Sequence, residues 1–138
     1  DIAVLKVNKV TNNFARFGEI GVGEDIMALG FPANDMLGDD LKAINGKVSS
    51  LSDKNFLQFI SSINIGSGGP LLNKKGLLVG VTKATVKSIP KAVKGSTLQN
   101  FLGKHGIHFE VGEVDKTLSK SDIFEVGEKF TVMVMCYQ

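Results

Sequence analysis

Arginine is nearly missing from this chain: Arg16 is the only one, and the formal net charge is +2. Nucleic-acid readers usually carry more arginine and more charge, so a nucleic-acid partner is not expected, nor is a charged membrane surface. Cys136 is the only cysteine. An internal disulfide is thereby excluded and the redox compartment is left undecided. No apolar run approaches the ~20 residues of a membrane-spanning helix. The opening residues show no signal-peptide pattern. A start at Asp1, without Met and inside a strand-like run, reads as a fragment or a processed product. Histidine is confined to His105 and His108, both late in the chain.

What is present fits one β-rich domain. At 138 residues, with 43% hydrophobic and 22% charged residues, the chain is long enough to bury a core. Its 16 glycines favour tight turns between strands. Strand-like runs fall at Asp1 to Val7, Asp25 to Phe31, Leu41 to Leu51, Asn55 to Ile63 and Ile89 to Lys94. Gly46, inside the third run, marks an expected bulge. Asn8 to Glu24 is polar and glycine-punctuated and reads as a linker. Leu71 to Val81 reads as a β-hairpin whose turn, Asn73-Lys74-Lys75-Gly76, ends on a glycine suited to positive φ. A helix is predicted over roughly Ser96 to His105, with Ser96 as N-cap and Gly106 just past its end. In the tail, Ser119 or Ser121 would cap a short helix through about Lys129, and Thr131 to Tyr137 reads as a final strand. Short strands at turn-punctuated spacing with a late helix predict an all-β antiparallel barrel with a short α/β tail.

Most polar clusters invite a plain reading. Gly18, Gly21 and Gly23 form no phosphate fingerprint between strand and helix. Asp39-Asp40 is too isolated for a metal site. Lys83, Lys87, Lys91 and Lys94 lie in a stretch without acids and read as a solvated face. Cys136 reads as a packed thiol.

One run stands apart: Gly66-Ser67-Gly68-Gly69-Pro70, followed by Leu71-Leu72-Asn73. A serine hydroxyl is a weak nucleophile unless a base takes its proton and backbone N–H groups stabilise the oxyanion. Glycines on both sides of Ser67 let the main chain turn tightly enough to bring such donors close.

The surrounding segments repeat an ordered pattern. Asp1-Ile2-Ala3-Val4-Leu5-Lys6-Val7 resembles the strand that carries the catalytic aspartate in trypsin-like serine proteases, especially the bacterial HtrA-like group. Gly23 to Pro32 resembles the strand opening that family's second barrel, and Asn45 to Leu51 its next strand. Ser62-Ile63-Asn64 is similar to the approach to the nucleophile loop, and Gly76 to Thr82 to the hairpin beyond it. The resemblance covers about residues 1–107. It implies a second barrel at 23–106 with a closing helix, a last strand of a first barrel plus linker at 1–22, and an extension at 107–138. It also implies endopeptidase chemistry without metal or cofactor, a protein or peptide substrate and an extracytoplasmic location. Asp1 would orient a histidine and Ser67 would be the nucleophile. Ile65, Gly66 and Ser67 would offer oxyanion donors from their backbone. Thr82, Lys83, Ala84 and Thr85 would pair with an extended substrate by strand addition.

Two departures qualify that picture. The family's histidine precedes its aspartate, and no histidine precedes Ser67 here. The loop is also one residue shorter than the family's, which places β-branched Ile65 where a glycine is usual. The leading expectation is a protease portion inactive as presented. The alternatives are a pseudoprotease that binds peptide without turnover, and an interaction domain unrelated to proteolysis. Without its first barrel, such a chain is expected to self-associate through residues 1–7 or 131–137.

Overall fold

Alternating apolar residues in six short runs pair into one antiparallel sheet that closes on itself. The computed structural model describes residues 2–32, 40–63, 65–83 and 89–135. The strands are β1 (Asp25–Gly30), β2 (Lys42–Ser50), β3 (Phe56–Ser61), β4 (Pro70–Asn73), β5 (Leu78–Lys83) and β6 (Lys91–Lys94). They close in the order β1-β2-β3-β6-β5-β4, with β4 returning to β1. Two helices follow, α1 (Gly95–Lys104) and α2 (Lys120–Glu128). The expected antiparallel barrel is therefore present.

Period-two alternation sorts the strand residues to two sides. Ile26, Ala28, Ile44, Val48, Leu57, Phe59, Leu71, Val79 and Ala92 fill the interior together with Ile65. Met27, Leu29, Leu72, Leu78 and Val93 point outward and would face water if nothing covered them. Phe17 from the linker, Leu98 of α1 and Ile123 of α2 cover them instead. Phe17 bridges Leu78 and Val111, and the Gly112 N–H donates to the Phe17 carbonyl at 2.8 Å. Residues 107–130 are thus joined to the barrel through its outer core.

The turns obey local chemistry. Asn73, buried in the β4–β5 turn, accepts from the N–H groups of Lys75 and Leu77 at 2.9 and 3.0 Å through its side-chain oxygen. Its amide nitrogen donates to the Glu19 carbonyl at 3.1 Å. Gly76 takes φ +79°, as the turn requires. Ser119 caps α2 and accepts from the Asp122 N–H. Gly106, at φ +66°, follows the C-cap of α1.

Four expectations need correction. Residues 2–7 form no strand, and from Ala3 to Phe14 every residue is exposed. Residues 131–135 form no strand either, and the rest of that predicted strand, with Cys136, lies outside the described residues. Both runs have strand-like composition, but β-propensity is realised only against a partner strand, and the six barrel strands pair with one another. Gly46 is not a bulge. It keeps register with Ile26 and Ser61, and the irregularity falls between Val48 and Ser50. Glycine is needed there because a Cβ would stand 2.2 Å from the Ile60 carbonyl oxygen. Ser96 does not cap α1. Strand β6 runs straight into the helix, so Lys94 holds the N-cap position without a side-chain capping bond.

Antiparallel register gives the barrel two ends. Gly30, Ser61, Pro70, Lys83 and Lys91 lie at one; Asp25, Phe56, Asn73, Leu78 and Lys94 lie at the other. The run containing Ser67 enters β4 at the Pro70 end.

Candidate active site

Two positive-φ glycines shape the turn that presents Ser67. Gly66 has φ +98° and Gly68 has φ +87°, and the serine between them is exposed. A side chain at either glycine would be strained, since L-residues rarely adopt that region. Neither the N–H nor the hydroxyl of Ser67 makes a hydrogen bond among the described residues. The serine is thus held outward with its donors unused.

The turn is pinned on both sides. Before it, Ile65 is 4% exposed and its side chain joins the barrel interior. After it, the Gly68 N–H donates to the Thr82 carbonyl at 2.8 Å, and the Thr82 N–H donates to the Gly69 carbonyl at 2.8 Å. The Gly69 N–H also donates to Thr82 Oγ1 at 3.1 Å. The floor of the turn is the end of β1. A Cβ on Gly69 would meet the Leu29 carbonyl oxygen at 1.8 Å, and one on Gly30 would meet the Ile65 carbonyl oxygen at 2.7 Å. Backbone thus rests on backbone at this point, which rigidifies the serine's position.

The residues singled out from the sequence separate into groups. Ile65, Gly66, Ser67, Thr82 and Lys83 lie together at one end of the barrel. Asp1, Ala84 and Thr85 lie outside the described residues. Thr82 differs from expectation: its backbone N–H and carbonyl are both committed to the serine turn, so it has none to share with an added strand. Its backbone fastens the turn, while Lys83 is in register with Lys91 of β6. The Ile65 side chain is a core anchor rather than a member of the exposed turn. The positive φ that a shortened loop needs falls on Gly66 and Gly68 instead. Gly30 escaped the sequence reading. A lone glycine inside an apolar strand does signal close backbone approach, but it does not name the approaching segment.

Neither histidine belongs to this end. His105 is the C-cap of α1 and packs its ring against Phe101, with centroids 4.7 Å apart. His108 lies two residues before Glu110, whose carbonyl accepts from Phe17 beside Leu78. That contact lies at the opposite end of β5 from the Thr82 contacts, roughly 14 Å along the strand at about 3.4 Å per residue.

Known proteins with similar sequence or shape agree with this arrangement. The family model for the trypsin-like peptidase domain matches residues 1–81. A probable periplasmic serine endoprotease, DegP-like, from Hahella chejuensis is 36% identical over 88 residues, covering 59% of this chain and 19% of that protein. The serine endoprotease DegS of Haemophilus influenzae is 36% identical over 99 residues, covering 62% of this chain and 28% of that protein. The matched part of the chain therefore spans only 19% to 28% of these relatives' length. Among solved structures, a serine endoprotease from Yersinia pestis superposes with TM-score 0.52 at 28% identity, covering 69% of this chain and 34% of that one. The inactive form of the Rv3671c protease shares the fold, with TM-score 0.54 at 20% identity over 67% of this chain and 54% of that one. With its barrel, its glycine-flanked serine and a family match running from Asp1 to Val81, the chain belongs to the trypsin-like peptidase domain family and resembles its HtrA-type serine proteases.

Proposed function

We propose that these residues form the nucleophile-bearing barrel of a trypsin-like serine endopeptidase. The observation that carries this reading is the pinned turn that holds Ser67 outward between Gly66 and Gly68. Ser67 Oγ would attack the scissile carbonyl while a histidine takes its proton, and the same histidine would then protonate the leaving amine. The unbonded Ser67 N–H would donate to the oxyanion, with Ile65 and Gly66 bordering that position. Asp1 would orient the histidine. Residues Lys83, Ala84 and Thr85 would hold an extended substrate by strand addition. The histidine must come from a segment other than these 138 residues, so the chain by itself is inactive.

A second reading is favoured by one observation. Ile65 is sealed in the core, at a position where the resemblance implies a glycine and a loop one residue longer. A pseudoprotease that binds peptides without cleaving them would tolerate that change. A fluorophosphonate probe separates the two readings in a chain that carries a histidine-bearing first barrel. Labelling at Ser67, absent from Ser67→Ala, is expected. Peptide binding with no labelling would favour the pseudoprotease, and a folded two-barrel chain with neither property would overturn both.

The Hahella relative is named as periplasmic, and we carry an extracytoplasmic location to this chain. No helix among the described residues is long and apolar enough to cross a membrane. Val7 is 69% exposed, Val10 95% and Val132 75%. These apolar segments support self-association. Sedimentation is expected to show mass rising with concentration, and a monomer throughout would refute it.

A further inference from the structure

Residues 54–109 carry eight lysines and no aspartate or glutamate. Two of these lysines face each other at the Ser67 end of the barrel. Lys83 on β5 and Lys91 on β6 are direct register partners, and so are Val81 and Val93 one step down the same face. Val93 belongs to the outer core, so both lysines stand on the barrel's outer surface. Like charges directly opposite on an antiparallel pair repel each other. The ion pairs among the described residues are Arg16–Glu110, Lys42–Asp40 and Lys47–Asp25, and none relieves this pair.

The acid that feels Lys91 is Asp53, and it is engaged elsewhere. Its carboxylate accepts from the N–H groups of Asn55 and Phe56 at 2.8 and 3.0 Å. Those two bonds hold it below the usual carboxylate range, and Lys91 and Lys94 add less. Apolar surface flanks the cations. Lys83 Nζ sits 5.0 Å above the Phe56 ring, and Ile60 on the same face of β3 is 65% exposed. Lys83 also directly follows Thr82, the residue that fastens the serine turn.

We propose that Lys83 and Lys91 dock an acidic stretch of a peptide presented to the Ser67 end of the barrel. This deepens the endopeptidase reading and rests on it. Carboxylates relieve the lysine repulsion, and apolar side chains alternating with them cover Ile60 and the edge of Phe56. Such a mixed surface suits a polypeptide better than a nucleic acid, whose backbone offers anions without apolar side chains.

The experiment compares two labelled extended peptides by fluorescence anisotropy on the unmodified chain. One alternates Glu with Val, and the other replaces each Glu by Gln. The Glu peptide is expected to bind about five- to tenfold more tightly at low salt. The gap should close as added salt shortens the Debye length. The double variant Lys83→Gln/Lys91→Gln should lose the preference, and Lys104→Gln at the end of α1 should keep it. Equal binding of the two peptides, or no binding of either, would overturn the proposal. An oligonucleotide of matched charge binding as tightly as the Glu peptide would overturn it as well. Failure of the endopeptidase reading is recognised separately, by absent fluorophosphonate labelling at Ser67.

Discussion

Peptide hydrolysis by these 138 residues alone is expected to run about 10⁶-fold slower than by the same barrel joined to a histidine-bearing partner. A serine hydroxyl needs a base in contact with it, and among the described residues none bonds to Ser67. His108 sits at the far end of β5, and His105 stacks on Phe101. The residual rate would come from the oxyanion donor and binding alone. Because nucleophile and base act as a unit, Ser67→Ala in the joined form should cost about as much as removing the histidine. Initial rates on a chromogenic peptide measure both effects. Turnover by the isolated 138 residues in the ordinary range of about 1–10³ s⁻¹ would overturn the assignment of the base to another segment.

Gly69→Ala is expected to cost at least the upper end of the roughly 1–3 kcal/mol seen on overpacking a core. Its φ is not positive, so backbone preference is not the reason. The reason is space: the added Cβ would stand 1.8 Å from the Leu29 carbonyl oxygen. A carbonyl in a paired strand cannot swing aside as a flexible side chain would. Either the end of β1 yields or the turn lifts from Thr82, breaking bonds of 2.8, 2.8 and 3.1 Å. The urea midpoint should fall, and Ser67 labelling in the two-barrel form should fall with it. Gly103→Ala is the control. Nothing lies within 4 Å of its Cβ, and alanine in an exposed helix gains up to about 1 kcal/mol. A Gly69→Ala midpoint matching the parent chain would show that the turn is not seated on β1.

Local patterns that depend on near neighbours were legible in the sequence. Asn73 to Gly76 predicts its own turn because Asn satisfies nearby N–H groups and glycine takes the positive φ. The cap of α2 was legible as Ser119 or Ser121, and Ser119 takes it, three residues before the N–H it accepts. Residues 2–7 and 131–135 mislead for the converse reason: strand composition does not supply a partner strand. The resemblance groups Thr82 with a substrate-pairing segment, yet its N–H and carbonyl are bonded to the serine turn. Which side of a strand is already bonded depends on what closes against it.

The sequence by itself determined the class of fold, the family and the glycine-flanked run around Ser67. Alternation, glycine turns and an ordered series of motifs are properties of the chain read in one dimension. Only the tertiary structure decided that Ile65 anchors the turn in the core and that Thr82 fastens its other side. It alone also set Lys83 opposite Lys91. Those facts come from register and barrel closure, which bring residues eight and more positions apart into hydrogen-bond or side-chain range. No local propensity encodes such meetings, because the whole sheet must close before they exist.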